Sequence, residues 1–440
     1  MLEGAVVPLV EKVLDPRSPE MAQHILIEKY RRECLRRLIP WARRTHFYRE
    51  HLAGIGTKAA VKDLSKIPLT SKDDLLRTIG QGRFPLNCWC PVERLAFIGQ
   101  TGGPGTEDLA EQGQRPLPIP QRSVDILRRA GLAARAFHRV CERQLGPTVL
   151  LHEVSSSIVH QAMFRGLVGL GARPIALGRG STARHVRETL GRLMPENIVT
   201  YPTYATFLKT LEKDAEVELR FKRLFLWGEV GGSVRPVRER LSKAYDAKIH
   251  DIYAMQEFGV LASGCTAGKG LHGFEDQFVY EVVDPSTGEA LEDGEVGELV
   301  VTDLHRSAFP LIRYRTGDIT SIERRRCRCG RDHLRLNGIN GRVGEELTGE
   351  HGVCAYAGDI LEMLEGNPHV TGVFKIVPGQ GAFIETKENR QMADHYLDRL
   401  GRPPGKITFE RVLPRFLHRT EYLVNERYER LLKEQIGRER

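Results

Sequence analysis

The 440-residue sequence contains no run of 18 apolar residues, which excludes a transmembrane helix. Its first residues, Met1-Leu2-Glu3-Gly4-Ala5-Val6-Val7, lack the charged region and long apolar core of a secretory signal, so the cytoplasm is the expected compartment. Internal repeats are absent, and no Ser/His/Asp or Cys/His nucleophile constellation stands out. The net charge of +8 comes without a nucleic-acid-binding motif. Its basic pairs Arg31-Arg32, Arg36-Arg37 and Arg43-Arg44 are interleaved with Leu and Ile, the pattern of a helix with one solvated face. Neither nucleic acid nor membrane is therefore expected as a partner, whereas small polyanions need only a local basic patch.

With 41% hydrophobic and 28% charged residues, the composition is that of a soluble globular protein, too long for one compact core. Residues from about Pro19 to Leu52 read as one long amphipathic helix, with Ile25, Ile27, Tyr30, Cys34, Leu35, Leu38 and Trp41 at helical spacing and Pro40 as a kink or end. Thr70 or Ser71 then caps a helix with aspartates in its first turn. From about Leu95 to Gly341 the pattern is α/β. Strands are expected at Val149–Leu151, Pro174–Leu177, Ile198–Tyr201, Leu224–Leu226 and Lys248–Asp251. Helices separate them at Met163–Leu170, Ala183–Leu193, Tyr204–Leu211 and Val237–Ala244, which predicts a mostly parallel sheet covered by helices. The last hundred or so residues read as a small α+β domain. Its strands are Val373–Val377, Gly381–Thr386 and Ile407–Val412, its helices Ala357–Leu364 and Arg390–Arg399. The expected division is 1–341 and 342–440, with a hinge near Arg342.

Three stretches carry chemistry. Tyr280–Val283 and Gly297–Thr302 flank the turn cluster Asp284-Pro285-Ser286-Thr287-Gly288 and form a hairpin. Beyond it, Tyr314-Arg315-Thr316-Gly317-Asp318 places a short carboxylate beside a Gly turn, suited to a ribose diol or simply to solvent. Asp251-Ile252-Tyr253-Ala254-Met255-Gln256-Glu257 falls at a strand C-terminus, where α/β sheets place ligands, although Tyr253 alone would pass for a core aromatic. Trp227-Gly228-Glu229-Val230-Gly231-Gly232 follows another strand and by itself is a weak, turn-like signal.

Together these segments resemble the adenylate-forming enzymes, the acyl- and aryl-CoA ligases, and in wording the phenylacetate-CoA ligase branch. The resemblance extends over essentially the whole chain, from Thr45-His46-Phe47-Tyr48-Arg49-Glu50 onward. It implies a large N-terminal α/β domain with a small mobile lid. The activity it implies is ATP- and Mg2+-dependent activation of an aromatic or related carboxylic acid, with CoA or a carrier protein's thiol, or an amine, as acceptor. A reduced homologue that only binds nucleotide or acyl-adenylate is the alternative, and a homodimer is one option for its assembly.

By the same resemblance Gly228 and Glu229 line adenine, Tyr253 stacks on it, and Asp318 holds the ribose. Glu257 coordinates Mg2+, and Arg342 is the hinge-region arginine. Asp251 opens the Tyr253 motif, and Gln256 stands where a hydroxyl residue contacts the α-phosphate. Tyr201–Tyr204 and the Gly228 segment flank the acid pocket, with His152, Phe164 and Tyr204 as lining candidates. Two departures are plain. The phosphate loop, Gln100-Thr101-Gly102-Gly103-Pro104-Gly105-Thr106-Glu107, keeps Thr101 and Gly102 but has no lysine and ends in an acid. The lid's Leu413-Pro414-Arg415 is followed by Arg419 where a catalytic lysine is expected.

The eight cysteines give a separate signal. Cys265 and His272 precede the hairpin, and Cys327 and Cys329 follow it. Three thiolates and an imidazole form a closed set suited to structural Zn2+, with His333 as a competing ligand and a bare Cys-x-Cys turn as the alternative. Some phenylacetate-CoA ligase-like proteins carry the same arrangement. Cys34, Cys141 and Cys354 read as core, while Cys88 and Cys90 are ambiguous.

Overall fold

The computed structural model describes residues 20–78, 87–101, 116–140, 145–151, 157–177, 183–212, 219–267, 270–349, 352–364, 370–377, 381–386 and 407–410. At its centre is a nine-stranded sheet. Five parallel strands lie in the order Arg173–Leu177, Pro147–Leu151, Asn197–Thr200, Arg223–Trp227 and Lys248–Met255. Helices Ile158–Gly169, Ala183–Leu193, Pro202–Glu212 and Arg235–Tyr245 connect them, matching the expected alternation to within a few residues at each end. The sheet continues antiparallel through Gly259–Gly264, Leu271–Gly273, Arg335–Leu336 and Ile322–Glu323.

Side chains that alternate along the strands explain why both faces are covered. Leu224 and Leu226 point into a cluster with Leu190, Leu208 and Leu241 of three connecting helices. Phe225 and Trp227 enter the larger core on the other face, where Phe225 meets Phe137 edge to face at 5.0 Å. Each such fully buried side chain contributes roughly 1.5–3 kcal/mol.

A second, four-stranded antiparallel sheet contains Phe278–Val283, Gly297–Asp303, Tyr314–Thr320 and Gly341–Arg342. The expected hairpin is present. The Asp284 carboxylate accepts from the Ser286 and Thr287 amides at 2.9 and 2.8 Å, and Gly288 supplies the positive φ of +74° that closes the turn.

The N-terminal segment ends its first helix near Pro40, one of the two expected outcomes, and does not run on as a single helix to Leu52. Glu20–Ala42 and His46–His51 are separate helices. Pro40 lies inside the first, which ends two residues later. The Thr45 hydroxyl then accepts from the Tyr48 amide and starts the second as a new N-cap. Ser71 caps Lys72–Arg77 with a full capping box through Asp74. Thr70, just before it, bridges to Tyr314 of the second sheet: its amide donates to the Arg313 carbonyl, and its carbonyl accepts from the Arg315 amide, both at 2.8 Å.

Toward the C-terminus, Ala357–Leu364 is helical as expected. Val370–Val377 pairs antiparallel with Gly381–Thr386, which pairs parallel with Ile407–Glu410. The expected Arg390–Arg399 helix lies outside the described residues. Among the described residues, no helix is long and apolar enough to cross a membrane.

Candidate functional site

Three expected nucleotide residues meet where the two large sheets adjoin. The Tyr253 hydroxyl, at the end of the last parallel strand, donates to Asp318 Oδ2 at 2.7 Å. Arg342 Nε stands 3.5 Å from Asp318 Oδ1, and the guanidinium also donates to the Thr316 carbonyl at 3.1 Å. Beside them the Tyr314 hydroxyl donates to Glu257 Oε1 at 3.1 Å. All four contacts join segments distant in sequence.

The Thr-Gly-Asp sequence explains how Asp318 is presented. The strand pairing shifts register opposite Glu298 and Val300, so Thr316-Gly317-Asp318 forms a bulge. Gly317 adopts a φ of +74° and its amide donates to Glu298 Oε1 at 3.0 Å. The Thr316 hydroxyl accepts from the Asp318 amide at 3.0 Å. Burial, and then the Asp318 charge, hold the Tyr253 phenol protonated well above its ordinary range. Asp318 in turn holds the Arg342 guanidinium in its charged form, against the effect of burial.

Other expected residues are placed around this set. Gly228 follows the Arg223–Trp227 strand with a φ of +79°, and a Cβ there would run into the Tyr201 ring. Glu229 accepts from the Thr203 amide at 3.1 Å and from its hydroxyl. Asp251 is buried, accepts from the Ser233 hydroxyl, and packs against Gly232 so closely that a Cβ there would collide with it. Burial pushes the Asp251 carboxyl up to about 6. The Thr101 hydroxyl accepts from the Leu117 amide at 2.8 Å, beside the antiparallel pairing of Phe97–Gln100 with Pro118–Gln121. Gly102 and Arg419 lie outside the described residues, as does His152. Phe164 and Tyr204 are half-buried and pack on the main core. Gln256 is turned toward the Ile158–Gly169 helix: its Oε1 accepts from the Ile158 amide at 2.8 Å, and its Nε2 donates to Ser157 Oγ at 2.6 Å.

One participant escaped the sequence reading. Lys72, half-buried in the first turn of the capped Lys72–Arg77 helix, is held by burial below its ordinary pKa. Its charge is felt by Glu257 and Arg342. The signal was there in Thr70-Ser71-Lys72, but only the docking of Thr70 on Tyr314 turns that helix start toward the site.

The cysteine set also assembles. Cys265, His272, Cys327 and Cys329 each offer a ligand atom, all within 4.8 Å of one another. Cys265 Sγ and Cys327 Sγ are 3.3 Å apart, and Cys329 Sγ is 3.2 Å from His272 Nε2. The His272 Nδ1 lies 3.2 Å from the His333 carbonyl oxygen, so an Nδ1–H donor there leaves Nε2 free to ligate. His333 thus contributes its backbone, while its ring lies 3.5 Å from Glu275 and takes no place in the set. Arg335 donates to Cys327 Sγ at 3.4 Å, adding positive charge beside the thiols.

No family model matches the chain. It is 29% identical over 428 residues to the phenylacetate-coenzyme A ligase of Thermus thermophilus, spanning 92% of this chain and 89% of that protein. The phenylacetate-coenzyme A ligase of Escherichia coli is 26% identical over 332 residues, 72% of this chain and 70% of its own length. Among solved structures, 2-hydroxyisobutyryl-CoA ligase in the postadenylation state in complex with 2-HIB-AMP superposes with a TM-score of 0.78 at 23% identity, covering 93% of this chain and 92% of that one. Along nine-tenths of its length the chain is thus similar in sequence to a phenylacetate-coenzyme A ligase, and over the same span it shares the fold of 2-hydroxyisobutyryl-CoA ligase.

Proposed function

We propose that this chain is an AMP-forming acid–thiol ligase, which joins a carboxylic acid to the α-phosphate of ATP and then passes the acyl group to coenzyme A. The observation that carries this reading is Asp318 held between the Tyr253 phenol and Arg342, with Glu257 alongside. An ionised carboxylate has about four acceptor sites, so two donors leave room for a ribose diol. Tyr253 then flanks the adenine, with Gly228 and Glu229 on the neighbouring strand end.

In the first half-reaction an acid oxygen attacks the α-phosphorus, the bond to the bridging oxygen breaks, and pyrophosphate leaves. In the second, the CoA sulfur attacks the acyl carbon and AMP departs with the electrons of the broken C–O bond. The protein's task is positioning and offsetting charge. Lys72 and Arg342 supply fixed positive charge near Glu257, and Arg419 is the cation we assign to the lid. A single carboxylate, Glu257, suits Mg2+, which is held by one or two carboxylates plus substrate phosphates. When bound, the ion offsets charge developing on the phosphate. We assign a structural Zn2+ to Cys265, His272, Cys327 and Cys329: three thiols and one imidazole gathered within 4.8 Å of one another are the donor set that would hold it, and four protein ligands would leave no position for a substrate.

The relatives named as phenylacetate-coenzyme A ligases make phenylacetate the first acid to test. Purified protein with ATP, Mg2+ and a panel of aromatic and aliphatic acids should release pyrophosphate with at least one acid, and acyl-CoA once CoA is added. Retained ATP binding without pyrophosphate release from any acid would favour a nucleotide-binding homologue instead.

A further inference from the structure

The ligase reading leaves Gln256 without a part. The resemblance assigns its position to a hydroxyl on the α-phosphate, yet both ends of this amide face away from that task. Oε1 accepts from the Ile158 amide, the first of the Ile158–Gly169 helix, and Nε2 donates to Ser157 Oγ, the residue that caps it. Ser157 Oγ accepts in turn from the His160 amide at 3.4 Å. The turn carrying Gln256 is itself fixed from behind, because buried Arg129 donates to the carbonyls of Gln256 and Glu257. Gln256 therefore joins a rigid turn to the start of a helix 98 residues away in sequence.

That helix leads to the acid side of the site. In its first turn, buried His160 meets the Trp227 ring edge to face at 4.7 Å, and Trp227 packs on Tyr201 at 5.0 Å. Tyr201 lies against Gly228, at the strand end opposite Tyr253. An unbroken line of contacts thus runs from the Glu257 turn through Gln256 and the helix to the residues that flank the acid pocket.

We infer that Gln256 is a positioning residue: it holds the Ile158–Gly169 helix, and through it the Trp227–Tyr201 wall of the acid pocket, in register with the nucleotide motif. This rests on the ligase reading for its meaning but not for its test. A serine or threonine is too short to span to the Ile158 amide, so the hydroxyl that suits a phosphate contact cannot make this tie. A neutral amide offers an acceptor and a donor together, matching one amide N–H and one hydroxyl.

Hydrogen exchange of residues 157–164 reads the tie whether or not the chain turns over. Gln256→Ser should speed exchange there by about tenfold, as expected when a helix start loses two hydrogen bonds, and leave the Tyr314–Thr320 strand unchanged. Gln256→Glu, which keeps an acceptor for the Ile158 amide and accepts from the Ser157 hydroxyl, should stay near wild type. Ser157→Ala approaches the same tie from the helix side. It should reproduce the serine variant in part, and the two changes should combine less than additively. In the pyrophosphate assay Gln256→Ser should raise KM for the acid by about tenfold with little change in KM for ATP. The inference is overturned if exchange at 157–164 is unaffected in both Gln256→Ser and Ser157→Ala. It is equally overturned if Gln256→Ser changes kcat alone, the mark of a direct phosphate contact. Faster exchange in Gln256→Ser and Ser157→Ala, together with a wild type that releases no pyrophosphate, would keep the tie and discard the ligase reading.

Discussion

The Asp318 set and the Cys265 set are built in the same way and end in opposite states. Both form where short segments far apart in sequence are brought together by sheet pairing: Tyr314–Thr320 against Gly341–Arg342 in one case, Leu271–Gly273 against Arg335–Leu336 in the other. In the cysteine set every ligand atom faces the other three, and His272 is tied from behind by a backbone carbonyl. It has nothing left to offer a substrate. In the Asp318 set each partner takes only part of the acceptor's capacity, and charges of both signs stand side by side. On the proposed reading the saturated set is a structural centre, and the set with spare hydrogen-bonding capacity beside fixed charge is a binding one. Variants in the first should therefore cost stability, and variants in the second should cost binding.

The largest expected effect is on the closed set. Cys327→Ser removes one of the four side chains to which we assign Zn2+, and a structural Zn2+ contributes directly to folding free energy. Elemental analysis should find about one zinc per chain in wild type and little in the variant, with a melting temperature lower by about 10 °C or more, given that roughly 1 kcal/mol moves it by 2–4 °C in larger domains. Equal zinc content in the two proteins would break the comparison at its first term.

A smaller effect is expected at the open set, and in a different observable. Asp318→Ala deletes the carboxylate that joins Tyr253 to Arg342, and a charge-assisted hydrogen-bonded anchor is typically worth roughly 1.5–3 kcal/mol. ATP binding measured by calorimetry should weaken about tenfold or more. The melting temperature should fall less than for Cys327→Ser, because the bulge is held independently by Glu298 and Thr316. Unchanged ATP affinity would remove Asp318 from the ribose site.

How much of this was legible in sequence depended on range. The five parallel strands and their helices could be read because each is a local run: Leu224–Leu226 is apolar, with Arg223 before it and the Gly228 turn soon after, and Arg235–Tyr245 repeats Val237 and Leu241 on one face. Strands of two or three residues such as Leu271–Gly273 and Arg335–Leu336 escaped notice, because runs that short carry no readable alternation and are defined only by their pairing, with each other and with Gly259–Gly264 and Ile322–Glu323. The end of the first helix was legible at Pro40, whereas the restart was not, because Thr45 supplies a cap that periodicity does not register. At the site, motif resemblance named Tyr253, Glu257, Asp318 and Arg342. It could not foresee that Tyr253 donates to Asp318, that Gln256 serves a helix, or that Thr70 brings Lys72 toward Glu257.

The smallest expected effect tests whether the open set also carries a stability cost, and it concerns Asp251. This carboxyl is buried beneath the Gly231-Gly232 turn with the Ser233 hydroxyl as its donor, and burial raises it from 3.8 to about 6. A group that binds its proton more tightly in the folded state stabilises the fold fully below its unfolded value, and that contribution is lost as pH rises through the folded one. Asp251 should therefore make the protein progressively less stable between about pH 4 and pH 6, a cost fully felt at neutral pH. Asp251→Asn keeps an acceptor for the Ser233 hydroxyl and removes the charge. Its melting temperature should exceed that of wild type at pH 7.5 by about 2–4 °C, and the advantage should vanish at pH 4. The same variant should lose some ATP affinity if the charge is retained for the nucleotide, which would make Asp251 a residue whose stability cost is tolerated for binding. A variant no more stable than wild type at pH 7.5 would mean that the buried carboxylate is already stabilised well enough by the Ser233 hydroxyl and by the nearby positive charge of Arg238, and the contrast between the two centres would then rest on their ligands alone.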